Sequence, residues 1–325
     1  MSVVAGPRPP AAFGMLTEPP RPPRRRRLRG PSFSLAVPSI LWYGFFFVLP
    51  ILLIVWYSFG VKNTASGSSG VPVSMTNKTL QNYRDAFSPT FFTVFKSTLK
   101  ISIIATTLCF VFGFPVAYFL VFKVNEKWKA IMLALIVVPS FTSFLIRTLA
   151  WRIPLAANGE LSKWLQDWGV LSGPINVLDT RAAVQLAIIY NYLGFMILPL
   201  FVALDRIDHH MREASKDLGA NRLRTFLQVT LPLAGPGIAA GVMLTFIPMC
   251  GDFVTATLLG GTSGNMIGAM IDSQFHVARN WPLGSAMAVM MIGAVLLVLA
   301  VGSVIVFGAQ WFLRRRRHIE IAVAS

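Results

Sequence analysis

The sequence predicts an all-α, polytopic membrane protein with six transmembrane helices. Three observations carry this. Of 325 residues, 54% are hydrophobic and only 13% charged, about half the charged share of an ordinary soluble domain. The apolar residues gather in blocks of about 20, the helix length that crosses a hydrocarbon core of about 30 Å. The basic residues behind the net charge of +16 cluster beside those blocks. That distribution follows the positive-inside rule, so no nucleic-acid partner is expected; the expected surroundings are membrane lipids.

Residues 1–35 are rich in Pro and Arg, with Arg24, Arg25, Arg26, Arg27 and Arg29 near their end. They have little to bury and read as a disordered basic cytoplasmic tail, either a plain topology signal or a tether to anionic lipid. The transmembrane domain then covers residues 36–313. Its first apolar run, Val37–Phe59, is too long for the core of a cleaved signal peptide and reads as a retained span, bent at Pro50. A Ser/Gly stretch, Ser66–Gly70, and an amphipathic piece near Leu80–Phe87 follow on the outer side.

The second span is expected from Thr98 to Phe122, then a short turn, Lys123–Lys129, and a third span from Ala130 to Ile153. Leu161, Trp164, Leu165 and Trp168 have helical spacing and predict a small external helix. A fourth span, Ala182–Leu204, leads into a polar island, Asp205–Pro232. The fifth span, Leu233–Leu259, should kink at Pro248. After an external segment, Gly260–Gly284, the sixth span runs from Ser285 to Leu313. Residues 314–325, opening with Arg314, Arg315, Arg316 and Arg317, form a basic tail.

Six alternating spans put both tails, the Lys123 turn and the polar island on one side. Those four segments hold seven, three, five and four basic residues, 19 of the 29 in the chain. That side is therefore expected to be the cytoplasm.

Within the island, Met211, Ala214 and Leu218 share one helix face by their spacing. Gly219 is placed to end that helix in a left-handed cap. Leu223, Phe226 and Leu227 give a second short apolar stripe, and Pro232 closes the segment. Two short amphipathic helices joined by a glycine bend make a docking knob for another protein. The order Glu213-Ala214-Ser215, three residues, Gly219, nine residues, Val229-Thr230-Leu231-Pro232 resembles the EAA loop of permease subunits of bacterial ABC importers. It departs from that pattern only by Ser215 for Ala and Val229 for Ile. The resemblance implies that Glu213, Ala214, Ser215, Leu218, Gly219, Leu223 and Pro232 form the helix on which an ATP-hydrolysing subunit docks.

Among the membrane runs, Asp252 is the costliest residue, at roughly 2.5–3.5 kcal/mol on insertion scales. It reads either as a cation-contacting or gating carboxylate, or as a structural partner of Arg147. Ser143, Arg147 and Trp151 recur every four residues and share a face; an ion-pair or docking role for Arg147 is favoured over cargo contact. Tyr190, Asn191 and Tyr192 sit near mid-bilayer, where Asn191 needs a polar partner. Tyrosine faces attract ammonium groups, and helix packing is the alternative for all three.

Further residues narrow the resemblance. Ser143-Phe144-Leu145-Ile146-Arg147-Thr148, Asn158-Gly159, Met196-Ile197-Leu198-Pro199-Leu200, Asp217-Leu218-Gly219-Ala220 and Gly251-Asp252-Phe253-Val254 look like the spermidine/putrescine permeases of the PotB/PotH type. So do Leu231-Pro232-Leu233, Pro236-Gly237-Ile238, Leu259-Gly260-Gly261, Gln274-Phe275 and Trp281-Pro282. The likeness covers Leu41–Phe312. It implies the MetI-like type I importer fold in a bacterial inner membrane, with both termini cytoplasmic. It also implies a second homologous permease, an ABC ATPase dimer and an extracytoplasmic substrate-binding protein. Cargo is expected to be a polyamine carried by ATP-driven alternating access; related subunits carry opines, phosphonates or iron.

No catalysis is expected of this chain. There is no phosphate loop of the G-x-x-x-x-G-K-[ST] kind, so ATP and Mg²⁺ belong to a partner and no cofactor is expected here. Cys109 and Cys250 both lie in apolar runs, and His209, His210, His276 and His318 form no metal-ligand spacing. No nucleophile–base set marks an integral-membrane enzyme. A self-sufficient secondary transporter would call for paired internal repeats, which the two halves do not display.

Overall fold

The computed structural model describes residues 33–63, 73–169, 173–174, 176–261 and 264–323. The expected disordered tail and the Ser66–Gly70 stretch fall on residues 1–32 and 64–72, outside the described residues. The chain divides into two compact units, one up to Pro50 and one from Ile51 onward.

The first unit holds most of helix α1, Ala36–Tyr57, which passes through a π turn at Gly44–Val48. The turn falls just before Pro50, which cannot donate the backbone bond that an α-helix needs there. The helical course already begins at Phe33, within the stretch read as tail.

The second unit opens with the last turns of α1, from Ile51, followed by a two-residue antiparallel ribbon, β1 (Val61–Lys62) and β2 (Val73–Ser74). Helix α2, Gln81–Ala86, is fixed beside it: the Asn82 amide donates to the carbonyls of Ser58 and Gly60 at 2.9 and 2.7 Å.

Helix α3, Pro89–Lys123, is 35 residues long, about 50 Å at 1.5 Å per residue, and so overshoots the bilayer. Ser88 caps it, accepting from the Phe91 amide, and Pro89 occupies the first turn, where its missing N–H costs nothing. α4, Glu126–Val137, continues as a 3-10 turn, Val138–Phe141. α5, Phe144–Ala150, and the outer helix α6, Glu160–Asp167, follow. α7, Arg181–Asp205, leads to α8, His209–Asp217, and α9, Arg222–Thr225. α10, Gly235–Cys250, is followed by α11, Phe253–Leu259, α12, Ile267–His276, and α13, Trp281–Val323. Four described helices are long and apolar enough to cross a membrane, or six spans if each of two sharply bent pairs counts as one.

Those bent pairs revise the sequence expectation. The third span does not run unbroken from Ala130 to Ile153: the helices on either side of Thr142–Ser143 meet at 92°. Pro139 begins the failure, because its ring has no N–H and crowds the preceding turn. Thr142 then takes an extended conformation and its hydroxyl donates to the Pro139 carbonyl at 2.7 Å. The fifth span breaks rather than kinks. α10 closes at Cys250, two residues past Pro248, and Asp252 starts α11. The external segment after Gly260, read without internal structure, carries α12. The terminal basic run is not a separate tail in backbone terms, since α13 continues through it to Val323.

The core is the three-helix contact of α3, α7 and α10. Small residues let these backbones close: Ala105, Cys109 and Ala117 on α3 and Ala183 and Ala187 on α7 share one core cluster, all fully buried. A Cβ at Gly241 would stand 2.8 Å from the Met196 sulfur, so α10 approaches α7 as near as only glycine allows. Lipid tails are as apolar as leucine, so close packing and polar bonds between helices hold such a bundle. The Gln185 amide supplies one, donating to the Ile101 carbonyl at 3.3 Å. A second cluster joins Phe91, Phe246, Cys250, Ile267, Met287 and Met291, near the start of α3 and the end of α10.

Candidate functional site

The polar island folds as two short helices about a bend. Asp208 opens α8, its carboxylate accepting from the His210 amide at 3.0 Å. Gly219 closes it at φ +83°, the left-handed conformation that other residues adopt only at a cost. The turn is sealed by Ala220 N–H donating to the Ser215 carbonyl at 3.1 Å, as a Schellman-type cap requires. Asn221 then caps α9, accepting from the Arg224 amide at 2.8 Å. The Ser215 and Thr225 hydroxyls meet across the bend at 3.2 Å.

α8 has two faces. Met211, Ala214 and Leu218 lie outward and exposed, Leu218 at 89%. They line a groove of about 520 Å³ with Ser215, Gly219 and Arg224. Glu213 is exposed beside His210, 3.6 Å away. On the opposite face Arg212 is half-buried. It donates to the Tyr118 hydroxyl at 2.8 Å and lies 3.8 Å over the Phe122 ring.

The second stripe expected of the island is split. Leu223 and Leu227 are exposed, Leu223 at 65%, whereas Phe226 turns inward, edge-on to Phe114 and Tyr118 at 5.5 and 6.1 Å. Phe226 and Leu227 are neighbours about 100° apart around the helix, so Phe226 lies inward beside the buried Thr225 while Leu227 stays exposed. Pro232 does not close the segment either. It sits in the first turn of a short piece, Leu231–Leu233, and the chain swings by 63° only past Leu233, before Gly235.

Deeper in the membrane a second cluster forms where α5 meets α7. Asn191 is 0% exposed; its carbonyl accepts from Arg147 Nε at 2.8 Å and its amide donates to the Thr148 hydroxyl at 3.0 Å. Arg147 Nη1 donates to the Pro139 carbonyl at 2.6 Å, closing the bend in the third span. The Tyr190 ring lies 6.0 Å from the guanidinium and 5.4 Å, edge-on, from Trp151. Tyr192, buried beside Phe144 at 6.0 Å, stands within electrostatic reach of both Arg147 and Asp252.

Two of the expected partners stand apart. Ser143 is exposed and only marks the start of α5; the broken helix removes the shared face read from its spacing. Asp252 does not pair with Arg147. Its two carboxylate oxygens accept from the Thr255 amide at 2.9 Å and the Thr255 hydroxyl at 2.6 Å, capping α11. It is 6% exposed. Arg147 makes no ion pair among the described residues, its bonds going to neutral oxygens.

Arg212, Tyr118, Lys129 and Thr148 were not singled out by sequence. Lys129 is buried and bridges Glu126 to Asp205 at 3.5 Å, locking the start of α4 to the end of α7 just before the island. A basic residue beside an aromatic end of a span would have been the sequence signal, but partners 94 and 76 positions apart leave no local pattern.

The family model for the binding-protein-dependent transport system inner membrane component matches residues 109–318. The chain is 37% identical, over 279 residues, to the spermidine/putrescine transport system permease protein PotB of Haemophilus influenzae, covering 86% of this chain and 94% of that one. Its fold is similar to that in the crystal structure of a bacterial ABC transporter involved in import of the acidic polysaccharide alginate. That likeness has a TM-score of 0.65 and 18% identity, over 83% of this chain and 93% of the other. A subunit of the MetNI methionine ABC transporter, in inward-facing form, matches with a TM-score of 0.53 and 19% identity, over 68% of this chain and 99% of the other. With two thirds of its residues inside the family match and the PotB likeness spanning nearly all the rest of the fold, the chain belongs to the family of inner-membrane permease components of binding-protein-dependent ABC importers.

Proposed function

We propose that the chain forms half of the membrane pathway of a type I ABC importer for a polyamine of the spermidine/putrescine class. The observation that supports the motor's place is the bent α8–α9 loop. Its apolar face, centred on Leu218 and Leu223, is exposed and grooved, and five basic residues put the loop on the cytoplasmic side. An ABC ATPase dimer grips that loop, hydrolyses ATP with Mg²⁺ in its own sites, and turns the spans between inward- and outward-facing states. A second homologous permease completes the pathway, and an extracytoplasmic binding protein delivers cargo. Both termini are cytoplasmic, residues 1–35 and 314–325 serving as basic tails of the 36–313 membrane domain.

Polyamine cargo is supported by the PotB relative's printed activity and by the aromatic faces of Tyr190 and Trp151 beside the α7 polar residues, surfaces that hold ammonium groups by cation–π attraction. One observation favours a second cargo: Arg147 carries a charge at membrane depth with no acidic partner among the described residues, which suits a solute bearing a carboxylate, such as an opine. Uptake into proteoliposomes that hold this chain, its partner permease and the ATPase, with the binding protein supplied, decides between them. ATP-dependent entry of labelled spermidine, not displaced by an opine, is expected. Entry driven by an ion gradient through this chain alone would overturn the importer reading.

A further inference from the structure

Both arms of the docking loop reach α3. Arg212 reaches from the inner face of α8 to the cytoplasmic end of α3, where its guanidinium covers the Phe122 ring at 3.8 Å and donates to the Tyr118 hydroxyl at 2.8 Å. Its Nε is buried without a hydrogen-bond partner among the described residues, so the ring face and the phenol hold the charge between them. From the other side of the glycine bend, Phe226 sets its ring against Tyr118 and Phe114. The Ser215–Thr225 contact clamps the two arms to each other. Tyr118 is therefore touched by both arms of the loop.

We propose that Arg212 is a positioning residue that makes the loop and α3 move as one body, with Tyr118 as the point through which displacement of the loop reaches the bundle. A planar guanidinium suits this role because it stacks and donates together, which a lysine ammonium does not. The outward face of the same helix, Met211, Ala214 and Leu218, is left for the motor, so gripping and transmission lie on opposite sides of α8. The inference rests on the reading of this loop as the ATPase dock.

The test is uptake per ATP hydrolysed by the complete importer in proteoliposomes, with the amount of co-purifying ATPase measured in parallel. Arg212→Ala is expected to retain the ATPase and to lower uptake per ATP about tenfold, the scale set by loss of a charge-assisted bond. Tyr118→Phe, which deletes one hydroxyl and keeps the ring, is expected to lower the ratio about threefold. The double variant should match Arg212→Ala alone, because both changes remove one shared contact. An unchanged ratio in Tyr118→Phe overturns the proposal even where Arg212→Ala fails to accumulate, and so do losses that multiply in the double variant. If the unaltered complex couples no ATP hydrolysis to uptake, it is the importer reading that fails instead.

Discussion

Arg147 Nε donates to Asn191 Oδ1 at 2.8 Å, and this bond joins the bent third span to the fourth. The same guanidinium holds the Pro139 carbonyl, which the break at Thr142–Ser143 would otherwise leave with fewer donors. Asn191 answers with a second bond to Thr148. The network thus ties the two arms of the bend to the fourth span, and it pairs the buried Asn191 and Thr148 with the half-buried Arg147.

Replacing Asn191 by Leu takes one acceptor from the guanidinium. The expected cost is about 1 kcal/mol, the scale of one hydrogen bond lost from a half-buried guanidinium that keeps the Pro139 carbonyl, seen as a lower unfolding midpoint of the purified protein in detergent. An unaltered midpoint would show that the bond contributes nothing.

Asp252 permits charge and capping to be separated. Asparagine caps a helix about as well as aspartate, so Asp252→Asn should leave stability within about 0.5 kcal/mol, while Asp252→Ala should cost about 1 kcal/mol. Polyamine uptake by Asp252→Asn is expected to fall. Unchanged apparent affinity and rate in that variant would remove the carboxylate from the cargo path and leave it as a cap.

Gly241 sets the distance between α10 and α7. Gly241→Val should destabilise by about 1–3 kcal/mol through overpacking against Met196. Adding Met196→Ala should recover much of that loss. Additive effects in the double variant would contradict the close approach.

At Gly219, φ of +83° makes Gly219→Ala cost about 1–2 kcal/mol locally. Uptake should drop with Gly219→Pro and with Glu213→Ala while both proteins still reach the membrane. Wild-type uptake in both would remove the loop from energy coupling.

Much of this was legible in the sequence. The six apolar runs are a composition signal that the bilayer enforces, and the bend at Gly219 follows from its local chemistry, whereas the caps at Asp208 and Asn221 emerge only from the structure. The polar partner that Asn191 needs could be foreseen from its place in the fourth span, but not that Arg147 and Thr148 supply it. The breaks were less legible, because a helix end inside the membrane depends on which side chain supplies the missing bond. Asp252 reads as a costly charge until its bonds to Thr255 are seen. Phe226 reads as part of one apolar stripe with Leu223 and Leu227 until its ring is seen against Phe114 and Tyr118. Arg212–Tyr118 and Lys129–Asp205 span 94 and 76 positions, and no local spacing reports a contact that only tertiary packing creates.

The most direct measurement is the sidedness of Leu218. Cys109 and Cys250 are buried, so a Leu218→Cys variant offers a single well-exposed thiol to a membrane-impermeant maleimide. It is expected to label in inside-out vesicles and not in right-side-out ones, and to be shielded when the ATPase is bound. Labelling from the outer side, or equal labelling with and without the ATPase, would contradict a cytoplasmic handle gripped by a motor.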